Sequence, residues 1–439
     1  MFKFLFAKAD ARIAYLLRFS IGIWFFVDTV SMLVSGYVTE AYVSAKVNLS
    51  HYGFEWLTPL PGYGMYVLFI LLILLSVFII LGRYTRWALA LFLIGFGYVF
   101  LLDVAYTLNK FYLFFLLGAL LLAIQPDYER AKKDESGKVP AWNILIFQAL
   151  LGVIYFYSGL AKLNHDWIYH SEPLNTFFNN RSYLRAVGTN FPQVLAQLFS
   201  FGGLVFDLSI IWLLIYKVTR PYAQIAQCLF HILNFTILGI GSFSIATASL
   251  TLLLFPTEWL KNKLRMGSII DDHSFEKRVT SGLLLAISIL VIQVFVPHRH
   301  YLSGQNVNWT EKGHRFSWRL MSRTKSGSGS SFEVINPSTG EKWKINPRDY
   351  LTRRQFRKMS AETDLILSFA HYLKKEWHTR GYEDVQVYAR VMTKLNHRKP
   401  QLLIDPNLDL AKVERTFVVD KISLPMNACP EHSELAESK

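Results

Sequence analysis

The sequence predicts an all-α polytopic membrane bundle of about nine transmembrane helices, followed by a small extracytoplasmic α+β domain. Three observations predict this fold class. The chain of 439 residues is 52% hydrophobic and 15% aromatic, which is more apolar than soluble proteins of this size. Apolar windows that approach or reach the length of a bilayer crossing recur over the first two thirds of the chain. From His298 onward the composition is that of a soluble domain.

Nine apolar windows make up the membrane part. Because they continue far beyond the N-terminus, a signal peptide alone does not explain them. The fourth and eighth windows are short for a full crossing, and each is expected either to span the bilayer or to lie buried as a re-entrant piece. The nine windows are Ile13–Val34, Tyr63–Leu81, Trp87–Leu102, Phe111–Ile124, Trp142–Leu160, Leu198–Tyr216, Tyr222–Leu238, Ser242–Phe255 and Val279–Val296.

Lysine and arginine concentrate in the short loops on one side of this arrangement. Loops that contain Lys8, Arg86, Lys133, Lys217 and Lys261 all fall on that side. The positive-inside rule then predicts a cytoplasmic N-terminus and an extracytoplasmic C-terminal domain. The same rule accounts for the net charge of +14, so we expect no nucleic-acid partner. The two cysteines indicate neither a disulfide framework nor a metal site.

The C-terminal part has the patterns of a mixed α and β fold. Residues 331–345 contain two alternating runs around an Asn-Pro and Thr-Gly turn, which predicts a β-hairpin. Residues 359–377 carry apolar side chains at helical spacing, and we expect this amphipathic helix to open at Ser360. Residues 384–396 and 398–405 are predicted to be further strands.

Polar side chains at membrane depth are costly and are often functional, so they are the candidates for chemistry. Lys162 lies at the predicted outer end of the fifth span, after Ser158, Gly159 and Ala161. These small residues would let neighbouring helices pack closely and shield the amine from water. Desolvation disfavours the charged form of an amine, and a neutral lysine is a usable base. The alternative is a lysine that extends to the interface at a helix end.

Other polar residues of the spans are weaker candidates. His231 and Asn234 lie three residues apart in the seventh span, so they share one helix face and are expected either to hold a buried ligand or to be satisfied by neighbours. Either of the acids Asp207 and Asp28 is expected to pair with a basic residue such as Arg18 and hold the bundle together, with direct catalysis as the alternative.

Lys110 is expected near the outer face, as an interfacial anchor or as a second amine close to Lys162. The segment from Asn308 to Met321 is dense in Trp, His and Arg just beyond the last span. We expect that segment to cover a membrane cavity as a lid or docking segment.

Six stretches, in order, resemble the vitamin K-dependent γ-carboxylase family. They are YFYSGLAKLNHDW, GGLVFDLS, FHILNFTILGIGSFS, FPTEWL, NVNWTEKGHRFSW and LLIDPNLDL. The resemblance extends from about the second span to about residue 425. It divides the chain into a transmembrane helical (HTTM-like) domain over residues 1–297, an extracytoplasmic α+β domain over 298–425 and a polar tail over 426–439.

This resemblance implies a carboxylase, which is a carbon–carbon lyase, coupled to oxidation of reduced vitamin K or menaquinol. In that family a lysine deprotonates the hydroquinone, whose reaction with O₂ supplies a base strong enough to remove a glutamyl γ-proton so that CO₂ can add. Lys162 matches the family's catalytic lysine. His231 and Asn234 would hold the quinol head group, and Asp166 and Trp167 would shape the mouth of the cavity. The partners implied are membrane lipid, quinol and a glutamyl-containing protein or peptide.

One position departs from the family pattern. Animal members carry a histidine in the segment that matches TLNKFY, and Lys110 occupies this place here. An enzyme that oxidises or binds the quinol without carboxylation is therefore an alternative, and a membrane transporter or structural protein is another. The lean loops and short C-terminal domain favour a bacterial inner membrane.

Overall fold

The computed structural model describes residues 3–188, 190–265, 271–274, 280–417 and 421–426. Residues 427–439 of the predicted polar tail lie outside this part. Helices occupy all nine predicted windows. Their bounds are α1 Ala11–Val34, α2 Gly64–Leu81, α3 Thr85–Leu102, α4 Asn109–Lys133, α5 Trp142–Lys162, α9 Phe191–Ile215, α10 Arg220–Thr236, α11 Ser242–Leu254 and α13 Ser281–Phe295.

Seven helices of the described part are long and apolar enough to cross a membrane. The last of the seven is α13 together with the 3₁₀ turn Val296–Ser303 that continues it. The fourth window is not short, because α4 runs for 25 residues and ends at a basic turn beyond the apolar stretch. The eighth window is short as expected, since α11 has 13 residues. The protein is thus a polytopic membrane bundle.

Seven further α-helices of the described part lie outside the nine windows. Three of them, α6, α7 and α8, fold between the outer end of α5 and the start of α9. A fourth, α12, precedes α13, and three more belong to the C-terminal part. Their bounds are α6 His165–His170, α7 Leu174–Asn179, α8 Ser182–Val187, α12 Glu258–Lys263, α14 Val307–Thr310, α15 Arg353–Met359 and α16 Thr363–Thr379.

Arg18 of α1 is buried against the end of α2, where it serves a helix terminus. Its Nη1 donates to the carbonyl of Ile80 at 2.8 Å and also to that of Ile79. Helix C-termini leave carbonyls without intrahelical partners and favour cations. Gly82 ends α2 at a φ of 70°, and a Cβ there would lie 2.9 Å from the Arg18 guanidinium. The expectation that Arg18 pairs with an intramembrane acid is therefore wrong.

A small sheet joins three segments at one end of the bundle, and the sequence patterns did not predict it. Its strands are β1 Ala7–Asp10, β2 Lys138–Pro140 and β3 Asp271–Ser274, with β1 in the middle and both neighbours antiparallel to it. These strands come from basic loops that the charge pattern assigns to a common side. The pairing places them on the same face of the bundle.

The C-terminal part contains a four-stranded antiparallel sheet in the order β5-β4-β6-β7. Its strands are β4 Lys325–Ile335, β5 Lys342–Ile345, β6 Gln386–Leu395 and β7 Gln401–Leu402. The predicted hairpin is confirmed, because Phe332 pairs with Ile345 across β4 and β5. Phe369 of α16 packs edge-on against Phe332, which places this helix on the sheet. The helix begins at Thr363 instead of Ser360, since Ser360 caps the end of α15.

The C-terminal domain is held on the bundle by polar contacts to loops that the charge pattern places outside. Gln355 of α15 donates to Asp103, just after α3, at 2.6 Å. Arg415 donates to Glu55 at 2.7 Å. Lys46 donates to the carbonyl of Asp349 at 2.9 Å. The opposite end of the bundle carries the small sheet, so the two faces of the membrane domain are chemically distinct.

Candidate active site

A cavity of about 430 Å³ lies among five of the membrane helices and the short helices α6 and α7, beneath the C-terminal domain. Its walls are largely apolar, and a few polar side chains interrupt them. Volume and composition are those of a small-molecule site. The residues that line it are Leu108, Asn109, Lys110, Ile154, Tyr155, Ser158, Lys162, Trp167, Leu174, Phe199, Gly203, Asp207, Phe230, His231, Asn234, Leu238, Gly239, Ile240, Phe243, Ser244, Thr247, Leu320 and Met321.

Lys162 is the last residue of α5, and its side chain is buried in the wall of this cavity. Nζ lies 2.6 Å from Oδ2 of Asp207 on α9 and 2.8 Å from Oγ of Ser158. Ser158 Oγ also donates to the same carboxylate oxygen at 2.6 Å. The side chains of Lys162 and Asp207 are 6% and 4% exposed. An amine, a hydroxyl and a carboxylate thus form one buried acid–base cluster.

The small residues before Lys162 allow this cluster to form. A Cβ added at Gly159 would lie 2.5 Å from Leu208 Cδ2 and 3.4 Å from Asp207 Cβ. Glycine therefore lets α5 and α9 approach closely enough for the lysine to reach the carboxylate. The sequence pattern predicted close packing here, and this contact shows which helix is the neighbour.

The amine of Lys162 has a carboxylate partner that the sequence does not indicate. From the sequence, Lys162 is expected to be an isolated amine made neutral by desolvation. Asp207 is its direct partner, so the acid–base unit is the pair. An ammonium beside a carboxylate and an amine beside a carboxylic acid hold the same number of protons, so the two groups share them as one unit. Uptake of one further proton gives an ammonium beside a carboxylic acid, which is how the pair can act as a base.

Trp167 and Asp166 follow Lys162 on the short helix α6 and have different surroundings. Trp167 lines the cavity, with its ring centroid 5.2 Å from Lys162 Nζ and its Nε1 donating to the Ser200 carbonyl at 2.9 Å. Asp166 faces the C-terminal domain instead. It accepts from both terminal nitrogens of Arg398, at 2.7 Å for Nη2, and from Asn396 at 2.6 Å.

The charge of Asp166 follows from these contacts. Burial alone would raise the pKa of this carboxyl. The hydrogen bonds from Arg398 and Asn396 outweigh burial, and the pKa lies below its ordinary value. Asp166 is therefore an anionic anchor between the domains beside the cavity.

His231 and Asn234 both line the cavity from α10. His231 is buried, and its Nε2 lies 2.9 Å from the hydroxyl of Tyr155 on α5. Its Nδ1 is buried without a hydrogen-bond partner among the described residues. The turn after α10 contributes Gly239, at a φ of 68°, to the same wall.

Lys110 lines the cavity at the N-terminus of α4 and forms an ion pair with Asp28 of α1. Nζ lies 3.0 Å from Oδ2, with the two side chains 23% and 5% exposed. Ser242 donates to the other oxygen of Asp28 at 2.8 Å. Both intramembrane acids thus pair with lysines of the cavity wall. The structure brings Lys110 and Lys162 to one cavity.

The segment from Asn308 to Met321 reaches the cavity through its last two residues. Leu320 and Met321 line it, and Lys162 Nζ lies 3.4 Å from the Leu320 carbonyl. Trp318 is fully buried and donates from Nε1 to Gln293 of α13 at 3.1 Å. The segment is therefore held to the bundle where it covers the site.

Three cavity residues were not singled out as functional from the sequence. Ser158 precedes Lys162 by four residues and Tyr155 precedes it by seven, so helical spacing places both on the face of the lysine. That spacing was available from the sequence. Ser244, on α11, is buried, and its hydroxyl has no hydrogen-bond partner in the described part of the chain. Nothing in its local sequence distinguishes it from other serines of the spans.

Comparisons with known proteins agree with this architecture. A family model described as the HTTM domain matches residues 6–259. A second model, described as the vitamin K-dependent gamma-carboxylase lumenal domain, matches residues 278–428. No solved structure matches the chain. The first match covers more than half of the sequence, and the second follows it in order with the last spanning helix included. The chain therefore belongs to the γ-carboxylase-like family, with an HTTM membrane domain and an extracytoplasmic domain of the γ-carboxylase lumenal type.

Proposed function

We propose that this protein is a quinol-dependent γ-glutamyl carboxylase-like enzyme. The observation that carries the proposal is the buried cluster of Lys162, Asp207 and Ser158 in the wall of an apolar cavity. A base in a dry, apolar site suits a lipid-soluble acid whose pKa is too high for an exposed carboxylate. The two family domains support the same activity.

The residues present fit a quinol head group. The cavity volume of about 430 Å³ suits a bicyclic ring, and the apolar walls suit its faces. Polar groups stand on different helices, with Lys162 on α5 and His231 on α10. The unpartnered Nδ1 of His231 is a buried polar atom that a ligand oxygen would satisfy. His231 and Asn234 would hold the head group, and reduced vitamin K or menaquinol is the class expected.

A bound hydroquinone that reacts with O₂ supplies a base far stronger than any side chain, and this base removes a glutamyl γ-proton so that CO₂ adds. The protein's part is to start and protect this chemistry. The Lys162–Asp207 pair takes up a hydroxyl proton at Nζ or Oδ2. Ser158 holds the carboxylate in place, and the apolar walls exclude water that would quench a strong base.

A direct assay tests this proposal. Purified protein in detergent is given a reduced naphthoquinone, O₂, ¹⁴CO₂ and a glutamyl peptide, and both fixed carbon and quinone epoxide are measured. We expect quinol-dependent incorporation in the wild type and none in Lys162→Ala. Lys46→Ala, whose amine contacts the C-terminal domain, is the matched control. Absence of any quinol-dependent product in the wild type would refute the proposal.

A second function, quinol oxidation without carboxylation, is favoured by one observation. Lys110 stands where animal members of the family carry a histidine, and it is bound to Asp28 in an ion pair. Histidine can share a proton near neutrality, and lysine is not interchangeable with histidine in that role. Epoxide without fixed ¹⁴CO₂ in the assay would support this second function.

The membrane setting is part of the proposal. In this proposal the glutamyl substrate binds on the side of the extracytoplasmic domain, and a bacterial inner membrane would supply menaquinol from the lipid phase. The cytoplasmic position of the N-terminus follows from the positive-inside rule. Reporter fusions to the N-terminus and to the loop before α5 test this orientation, because both should lie in the cytoplasm.

A further inference from the structure

A series of hydrogen bonds runs from α11 to Gln227 of α10, then to Tyr155 of α5, and ends at His231 of α10. Thr251 donates from Oγ1 to the carbonyl of Thr247 at 2.8 Å. Gln227 donates from Nε2 to Thr251 Oγ1 at 2.8 Å and to the Tyr155 hydroxyl at 2.8 Å. The Tyr155 hydroxyl lies 2.9 Å from His231 Nε2. All five residues are buried.

The direction of this chain is fixed at its first link. A carbonyl oxygen only accepts, so the single hydrogen of Thr251 is committed to Thr247. Thr251 must then accept from Gln227, which orients the amide nitrogen toward both hydroxyls. Reversing the amide would break the bond to the carbonyl and leave buried N–H groups without acceptors, which is costly.

The same reasoning assigns the proton of His231. Because Tyr155 accepts from Gln227, its own hydrogen is directed at His231 Nε2. A neutral imidazole that accepts at Nε2 carries its hydrogen on Nδ1. His231 Nδ1 and Ser244 Oγ are both buried and have no partner among the described residues, and both residues line the cavity. Two donors without acceptors among the described residues thus belong to side chains that line one cavity.

We infer that this hydrogen-bond chain fixes His231 as the Nδ1–H tautomer, and that His231 and Ser244 together bind an acceptor oxygen of a naphthoquinone-type head group. The ligand class rests on the proposed function. Tyr155 precedes Lys162 by seven residues, which is two helical turns and roughly 10 Å along α5. The two oxygens of a 1,4-quinol point in opposite directions across the ring. One oxygen would face the Lys162–Asp207 pair, and the other would face His231 and Ser244.

The tautomer is tested without any ligand. Protein labelled with ¹⁵N-histidine gives different nitrogen shifts for the two neutral tautomers, and subtraction of the His231→Asn spectrum identifies the His231 signals. We expect Nε2 to be the unprotonated nitrogen in the wild type. Tyr155→Phe and Thr251→Val should produce a mixture. A wild-type signal with the hydrogen on Nε2 would overturn the assignment.

The ligand is tested by equilibrium dialysis of 2-methyl-1,4-naphthoquinone and of 2-methylnaphthalene, which lacks both oxygens, against protein in detergent. We expect Ser244→Ala and Tyr155→Phe to weaken quinone binding about tenfold and to leave binding of the hydrocarbon unchanged. Two matched control variants should bind the quinone and the hydrocarbon as the wild type does. They are Ser249→Ala, a half-buried serine of α11 bonded to the Ile245 carbonyl, and Tyr157→Phe, bonded to the Val294 carbonyl.

The outcomes separate this inference from the proposed function. If the wild type binds the quinone and all four variants bind it equally well, His231 and Ser244 do not form the acceptor site, while the proposed function stands. If the wild type binds no quinone, the proposed function and the ligand half of the inference both fail. In that case the ¹⁵N chemical shifts of His231 would still identify its tautomer.

Discussion

Asp166, on the short helix α6 that follows Lys162, and Arg398 of the C-terminal domain form a largely buried ion pair with two hydrogen bonds. Each side chain is 12% exposed. A bidentate pair of this kind has a defined geometry as well as a favourable charge interaction. The C-terminal domain is therefore fixed directly beside the acid–base cluster, and the position of α6 depends on it.

Asp166→Asn should lower stability by about 3 kcal/mol, because it removes the carboxylate from a largely buried bidentate pair with Arg398. The pKa of Asp166 is below its ordinary value, so its contribution exists above the pKa of an unfolded carboxyl and is lost as the pH falls through the lower folded pKa. The gap in Tm between wild type and variant should thus narrow in acid. Thermal melts in detergent at pH 7 and at about pH 2.5 measure this gap, because the loss begins only below the unfolded carboxyl pKa of about 3.9. The exposed Asp384→Asn is the control, and a gap independent of pH would contradict this assignment.

Lys162→Met should cost about 3 kcal/mol, since Asp207 is then left as a buried charge without its cation. Adding Asp207→Leu should restore most of this loss, because an apolar pair of similar volume removes the unpaired charge. Both variants should lack quinol-dependent activity. Melting temperature and product formation are measured together, so that loss of folding and loss of chemistry are told apart. Full activity of the double variant would show that the pair is not the base.

Lys110→His should raise the amount of ¹⁴CO₂ fixed for each quinol oxidised. Imidazole restores a group that exchanges a proton near neutral pH, and Asp28 remains as its partner. The ratio of fixed carbon to epoxide is the quantity to compare. Lys46→His, which lies at the C-terminal domain and away from the cavity, should leave the ratio unchanged. An unchanged ratio in Lys110→His would mean that this lysine does not limit carboxylation.

Asp103 should make the junction of the two domains sensitive to pH. Burial raises the pKa of this carboxyl to about 7, although Gln355 and the backbone N–H of Ala105 oppose the rise. A folded pKa above the unfolded value means stability that is complete below about pH 4 and lost as the pH rises toward 7. The wild type should therefore melt at a lower temperature at pH 8 than at pH 5. Its free energy of unfolding should be lower by a few kcal/mol at pH 8.

Asp103→Asn cannot titrate, so its melting temperature should change less over the same pH interval. Differential scanning fluorimetry of both proteins in one buffer series makes the comparison. Parallel curves for the two proteins would assign the pH dependence to another group.

Much of the fold was predictable because it depends on local pattern. Bilayer-length apolar windows predicted the nine helices, and alternation around a turn predicted the β4–β5 hairpin. The end of α4 was misjudged, because its polar last turns continue the helix after the apolar pattern stops. The sheet of β1, β2 and β3 was missed, because its strands are three or four residues long and come from distant segments.

The candidate site was predictable only residue by residue. A buried lysine at a helix end and a histidine three residues before an asparagine are features of single helices. The partners of these residues lie on other helices and cannot be identified from the pattern of a single helix. Arg18 was expected to meet an acid and instead meets carbonyls of α2. Asp207 meets Lys162 and Asp28 meets Lys110, which are 45 and 82 residues away in sequence.

The sequence by itself determined the membrane class, the order of the helices, the C-terminal α+β pattern and the polar residues that lie at membrane depth. Packing between helices decided that Lys162 meets Asp207, that Lys110 shares their cavity and that the Tyr155 hydroxyl meets His231 Nε2. This division arises because the hydrophobic periodicity of a helix fixes how deep each residue lies in the membrane and on which face of its own helix it lies. Which faces meet depends on packing between helices, and in this protein a glycine on α5 permits the decisive contact with α9.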